Sequence, residues 1–440
     1  MFKLFTGSAL IRAVGASSQV LMTLVISREC GLRQAGVVFF GYSLVMIVST
    51  MARAGTELSA LRVISQAYEQ TDMGSVRSSA HSRLLLVGAT SGVFAVLVIL
   101  GAPWLGERSV GLDATASLRW AAAAMPAFAV LGLFSEFLKG VQRAWVGLLV
   151  QNVATPPALV VVPIVVLSRA SDAATVNAVI CGATWAATFA TLVYWHRTTG
   201  GCSAGWLRGA RGEVGLLLRD VPTLLVVSAT PVIMQWVGAI LLGFLTTPTQ
   251  VAGYSVAARL AIAVSVVHSA ASSVVAPRMA IAHGKGDLRA LHQVTVQTGL
   301  LISGVTWPIL IVMGVTAPYL LGIFGAGYGA FGSSLRVLLI GQIVASLIGH
   351  SGMVLVMTGK YSDARLNSLI AALSLVGLAF VFVPLAGADG AAFSMSGSVV
   401  LGHLAGLLLV RQRVGFWTVP TSRHAIRMAM LRVRPLRSTS

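Results

Sequence analysis

The stretch VAGYSVAARLAIAVSVVHSAASSVV, residues 251–275, carries Arg259, the only Asp, Glu, Lys or Arg between Asp220 and Arg278. In a segment that crosses a membrane, an ionisable side chain is by default a functional-site candidate. Placed at 100° per residue, Tyr254, Ser255, Arg259, Ser265, Ser269, Ser272 and Ser273 fall on one side of a helix. Val256, Leu260, Ala263, Val264 and Val267 fall on the other. Two readings fit Arg259: a side chain snorkelling to the near helix end, about 12 Å away at 1.5 Å per residue, or one facing a water-filled cavity. The serines that continue the stripe favour the cavity.

Two further segments repeat the arrangement. Ser8, Arg12, Gln19, Thr23 and Ser27 share one helix face, and Tyr42, Ser43, Ser49, Thr50, Arg53, Thr56 and Glu57 share another. Interfacial anchoring competes for Arg12. A local ion pair competes for Arg53, since Glu57 lies four residues on. Gln235, seven residues after Ser228, adds a polar position to another apolar run. The acidic groups within reach are Glu57, Glu136 and Asp220. Glu136 can pair with Lys139 and Asp220 follows Arg219, so each reads first as a salt-bridge group and second as an ion-coupling carboxylate. Guanidinium groups bind phosphate through paired hydrogen bonds, so the cargo expected of these cations is anionic and phosphate-bearing.

The elements that must hold these residues are membrane helices. Of 440 residues 56% are apolar and 10% charged, with a mean hydropathy of +0.86. That is more apolar than a soluble core requires. Runs of about 18–25 apolar residues recur without the alternation of a β-barrel, and in lipid such runs form helices. Twelve spans are expected, near 8–28, 36–56, 83–102, 118–138, 145–168, 175–195, 217–241, 251–275, 293–314, 334–357, 366–386 and 390–410. The first is read as a retained span, too long for a signal-peptide core.

If the N-terminus is cytoplasmic, 22 Lys and Arg residues fall in inner segments and six in outer ones, which places both termini inside. The net charge of +18 then reads as a topology signal with attraction to anionic lipids, not as a nucleic-acid surface. No phosphate loop for ATP is present, and Cys30, Cys181 and Cys202 lack metal-ligand spacing, so neither cofactor nor metal is expected. The longest outer loop, about 103–117, offers only Glu107, Arg108 and Asp113. No catalytic constellation emerges, and the chain is read as not an enzyme.

GYS at 41–43 recurs at 253–255, LRW at 118–120 returns as LRV at 335–337, and Gly140 is echoed by Gly359. The offsets of 212, 217 and 219 residues argue for two parallel six-helix halves, 1–200 and 201–411, followed by a basic tail at 412–440.

The opening GSALIRAVGASSQVLMTLVISRECGLRQAGVVFFGYSLVMIVSTMARAGTELSALRVIS resembles the N-terminal signature of bacterial polysaccharide and O-antigen flippases, members of the multidrug/oligosaccharidyl-lipid/polysaccharide exporter superfamily. AGYSVAARL and FLKGVQRAWVGLLVQN resemble matching pieces of later spans. The resemblance implies two six-helix bundles forming a V around a cationic cavity in the cytoplasmic (inner) membrane. Its implied cargo is an undecaprenyl-diphosphate-linked oligosaccharide, flipped to the outer leaflet by alternating access for exopolysaccharide or O-antigen (lipopolysaccharide) synthesis. Polysaccharide polymerase and export machinery are the implied protein partners. Related lipid II flippases use cavity arginines in spans 1, 2 and 8, to which Arg12, Arg53 and Arg259 are similar in placement. Alternatives are a drug or metabolite exporter, for which the scarcity of membrane carboxylates is a poor fit, a lipid II exporter, expected to have fourteen spans, and a membrane-bound O-antigen polymerase.

Overall fold

The structure, a computed structural model, describes residues 2–154, 158–168, 171–200, 225, 228–349 and 351–419. Among them no strand occurs, and the chain runs through α1 (Phe2–Arg53), α2 (Thr56–Glu69), α3 (Met73–Arg108), α4 (Thr115–Gly140), α5 (Ala144–Leu149), α6 (Ala158–Ser168) and α7 (Ala173–Thr199). It continues through α8 (Ser228–Leu245), α9 (Pro248–Gly284), α10 (Leu288–Val315), α11 (Ala317–Gly322), α12 (Gly332–Ile348), α13 (Ser351–Met357) and α14 (Tyr361–Arg413).

The expected spans map onto these helices, except that most of 217–227, the start of span 7, lies outside the described residues, and two differences are of physical interest. At 1.5 Å per residue, α1 and α14 would each be about 80 Å long if straight, well over twice the hydrocarbon core. Each instead joins two expected spans at a glycine in a conformation closed to other residues: Gly31 at φ 69°, ψ 173° and Gly387 at φ 54°, ψ −126°. Span 5 is likewise composite, α5 and α6 being separated by a π-helical turn at Val150–Ala154.

The connection between expected spans 36–56 and 83–102 begins as a helix. Ala54 (φ 51°) and Gly55 (φ 72°) break α1, and α2 then lays Ala60, Ile64 and Ala67, spaced by four and three, into a core with α3, α4 and α7. Arg62 and Glu69 face outward. Arg83, at the start of expected span 83–102, is buried in α3, where it donates to the Ser79 carbonyl at 3.0 Å. A buried guanidinium requires such partners.

The chain divides into two compact units, Met1–Arg259 with Leu321–Ala330, and Leu260–Leu320 with Phe331–Ser440. In the first, α4 is packed by α1, α2, α3 and α7. Its alanine-rich sequence explains this, because small residues let membrane helices approach closely and dispersion then holds them. Interhelical hydrogen bonds add direction: Asn177 of α7 donates to Ser117 Oγ at 2.7 Å, and Thr188 to the Ala127 carbonyl at 3.2 Å. Phe134, Phe137 and Trp195 close the cytoplasm-expected end, with ring centroids 5.4–6.3 Å apart. Segment 321–330 docks at the α1 bend, where Arg28 Nε donates to the Ile323 carbonyl at 2.7 Å.

In the second unit α12 packs on both α10 and α14, and α13 packs on α14. A separate core of Met279, Leu291, Val354, Leu355 and Val410 closes one end. The short strap after α14 returns to this unit, with Thr418 donating to the Ile348 carbonyl at 2.6 Å.

Gly31→Ala forces a side chain into a glycine-only region at a cost of about 1–3 kcal/mol. Thermal unfolding in detergent is expected to show a lower midpoint for this variant. Gly88→Ala is the control: a Cβ at this mid-helix position meets nothing, so its midpoint should hold or rise.

Candidate functional site

Arg259 is positioned by three helices of the first unit. Its guanidinium lies face-on over the Trp236 indole of α8, 3.7 Å from the ring centroid. Trp236 is packed in turn by Tyr42 of α1 at 5.2 Å, and Tyr42 stands edge-on to Phe128 of α4 at 5.8 Å. The guanidinium borders a recess lined on the α1 side by Gln19, Met22, Thr23, Phe39 and Tyr42 and closed by Ile180 of α7. The recess has about 10 Å³ of free space, roughly one water molecule's worth. Among the described residues no carboxylate lines it.

A face-on stack between a desolvated cation and an indole contributes about 2 kcal/mol, whereas removing a charged group from water costs several. The stack therefore offsets only part of the burial. The shortfall shows in the hydrogen bonds: Arg259 Nη1, Trp236 Nε1 and Ser255 Oγ, one turn before Arg259 on α9, are all buried without a partner. Two N–H donors and one hydroxyl left unmet beside a cation suit a ligand that brings acceptor oxygens and negative charge.

The hydroxyls of the expected stripes behave differently. Thr23 donates to the Gln19 carbonyl at 2.9 Å, Ser43 to Phe39 at 2.7 Å, Thr50 to Met46 at 2.8 Å and Ser49 to Met46 at 3.4 Å. These side chains are buried and turned back on their own helix, as hydroxyls in membrane helices commonly are. Of the α1 stripes, Gln19, Thr23 and Tyr42 line the recess, and Gln235 is half-buried beside Trp236. The opposite side of α9 is no less enclosed: Val256 and Ala257 are fully buried, so this stretch is surrounded by protein on both faces.

Arg53 has a station of its own. Its Nη2 donates to Thr50 Oγ1 at 2.9 Å, and Nε lies 3.4 Å from Glu57 Oε2, close enough to pair in charge but too poorly aligned to hydrogen-bond. Thr56 and Glu57 belong to α2 and not to the α1 face, so the pair bridges the break at Ala54 and Gly55. Arg53 follows Tyr42 by eleven residues of continuous helix, about 16 Å, and does not join the Arg259 recess. Glu136 is bound by Lys139 Nζ at 2.6 Å, which also reaches Gln151 at 2.8 Å. The helix positions of Arg12, Ser265 and Ser269 lie in α1 and α9, but their side chains, like Asp220 as a whole, fall outside the described residues.

Trp236 is the residue that sequence reasoning missed. A lone indole in an apolar span carries no spacing signal, and its neighbour Gln235 drew the attention by polarity. Pairing an arginine with an aromatic requires knowing that two helices meet.

The chain belongs to the polysaccharide biosynthesis protein family, whose model matches residues 8–283. Its fold is that of the multidrug and flippase transporters. An inward-facing multidrug resistance MATE transporter of the MOP superfamily aligns with a TM-score of 0.71 at 14% identity, covering 92% of this chain and 98% of the other. The lipid II flippase MurJ, in an inward closed conformation, aligns with a TM-score of 0.67 at 12% identity, covering 97% and 92%. A MOP superfamily transporter from Pyrococcus furiosus, described as having a binding pocket of reversed polarity, gives 0.60 at 14% identity, covering 93% and 95%. No curated protein matches the chain in sequence.

Gly132 of α4 lies against the Arg53 guanidinium, and a Cβ built there collides with Nη1. Gly132→Ala is expected to push the side chain off Thr50 and Glu57 and leave a buried carboxylate short of its partner. The cost is on the order of 1–3 kcal/mol. Its measure is a lowered unfolding midpoint that Glu57→Gln, combined with Gly132→Ala, partly restores.

Proposed function

We propose that this protein is a flippase that moves an undecaprenyl-diphosphate-linked oligosaccharide repeat unit from the inner to the outer leaflet of the cytoplasmic membrane, for exopolysaccharide or O-antigen synthesis. The observation that carries this reading is the Arg259 guanidinium on Trp236, with unmet donors beside a recess without a carboxylate. A diphosphate has the charge and the acceptor oxygens to meet them. It also exceeds the free space of the recess, so entry requires the surrounding helices to separate, as alternating access does. Family membership supports a polysaccharide pathway, and the transporter fold supports movement of cargo over catalysis.

Arg259 is then the principal phosphate contact. Arg53, held by Glu57, and Arg12, near the start of α1, are separate cationic stations met earlier or later by the cargo. Two repeat-related halves, 1–200 and 201–411, supply the moving parts, and both termini, including the basic tail from 412, lie in the cytoplasm. A drug-cation exporter would call for a free membrane carboxylate. Glu57 and Glu136, the described candidates, each face a cation of their own.

Loss of a charge-assisted guanidinium–phosphate contact removes about 2–3 kcal/mol, or roughly 30–150-fold in cargo affinity. Arg259→Ala is therefore expected to abolish polysaccharide export at normal protein level, in a strain lacking its own flippase and supplied with a defined repeat unit. Arg259→Lys should retain partial export, because the charge stays and the planar fork is lost. Trp236→Phe, which keeps a stacking ring without the N–H, should fall between wild type and Arg259→Ala. Full export by Arg259→Ala would overturn the assignment.

A further inference from the structure

The second unit contains a groove to which the proposed function assigns no role. It follows α10 from Val296 to Trp307, borders Ser346 and Leu347 of α12 and Thr418 of the strap after α14, and has about 220 Å³ of free space. Its polar side chains are already satisfied within the protein. Ser303 donates to the Ser346 carbonyl at 3.2 Å, Trp307 Nε1 to Ser346 Oγ at 2.8 Å, and Ser346 Oγ to the Ile343 carbonyl at 2.8 Å. Thr418 is likewise spent on Ile348. A polar ligand would find no free donor here, so the surface suits hydrocarbon.

Three features narrow the occupant. The groove opens onto a lipid-type surface, for Leu301, Val305 and Ile309 along α10 and Leu347 on α12 are exposed. Its length, eleven residues of helix or about 16 Å, is half the roughly 30 Å hydrocarbon core, the depth of one leaflet. Two turns before Val296, on the same helix face, stands exposed Arg289, about 10 Å further out and so at headgroup depth. The depth is kept open by two glycines: a Cβ at Gly299 or Gly304 meets no atom within 4 Å.

We propose that this groove binds one acyl chain of an anionic glycerophospholipid from the leaflet at the start of α10, with the lipid phosphate at Arg289. The chain fills the gap between α10 and α12 and covers the strap after α14. This site is independent of Arg259 and of the cargo assigned to it.

The test uses the full-length protein in nanodiscs containing phosphatidylglycerol with a photoreactive diazirine in one acyl chain. After irradiation, peptide mass spectrometry is expected to place label within 296–307 and at 346–347, competed by excess unlabelled phosphatidylglycerol. Gly299→Leu/Gly304→Leu, which places side chains in the groove at positions where an added Cβ meets no atom within 4 Å, should cut that labelling at least about tenfold, equivalent to about 1.4 kcal/mol. Its unfolding midpoint and monodispersity show whether the variant is folded, and the wild-type label map stands whatever they show. Arg289→Glu should reduce labelling by phosphatidylglycerol several-fold while sparing a phosphatidylcholine probe. Absence of wild-type label from these peptides overturns the proposal. So does labelling that rises when residues 420–440 are deleted, which would make the tail the occupant, or that yields only to a polyprenyl phosphate.

Discussion

A guanidinium inside a bundle of apolar helices sets the terms for the first unit. Arg259 cannot be neutralised, so the protein must supply it with favourable contacts or leave it able to recruit them. It does some of each. Trp236 gives the cation a face to lie on, Tyr42 and Phe128 hold the indole, and these rings fix how α1, α4, α8 and α9 come together. Satisfying the charge fully, with a carboxylate for example, would have left no unmet donors beside it. The unmet Nη1, Trp236 Nε1 and Ser255 Oγ are the part of the cost left for a ligand to offset.

The contrast with Arg53 shows a cation given a carboxylate of its own. There the cation has a threonine hydroxyl, a carboxylate across a helix break and a glycine whose missing side chain makes room. An arginine gives a latch between α1 and α2 in one case and, on α9, a guanidinium stacked on an indole beside a small recess in the other. Partner count separates them, and no helical-wheel projection contains that information.

Most of the fold was legible in the sequence because lipid leaves the backbone few choices. Apolar runs had to become helices, and their ends fell near the charges. The amphipathic α2 was hidden because it is short and mixed in polarity, and its core contacts are made with α3, α4 and α7. The glycine bends at 31 and 387 were visible as residues, though not as the joints of helices that continue through them. At the site, the later serines of the Arg259 stripe have side chains outside the described residues, and the serines and threonines of the α1 stripes mostly return their hydroxyls to carbonyls of their own helix. A polar stripe in a membrane helix therefore reports first on close helix packing and local hydrogen bonding, and water is a further inference. Trp236 stayed invisible because a cation–π contact is a tertiary fact with no period in the sequence.

The repeated GYS motif gains a physical meaning from this geometry. Tyr42 packs on the Trp236 ring, and Tyr254 lies so close to Gly238 that a Cβ there would strike its ring. The two tyrosines thus bracket one short stretch of α8, two residues apart. Each is buried, and each fixes a helix of its own against that stretch. The cation was placed in only one of the two settings: the position 212 residues before Arg259 is Ile47. A matched pair of anchors with a charge on one side only makes a rigid but asymmetric frame: the tyrosines hold their helices against α8, and the guanidinium lies on Trp236.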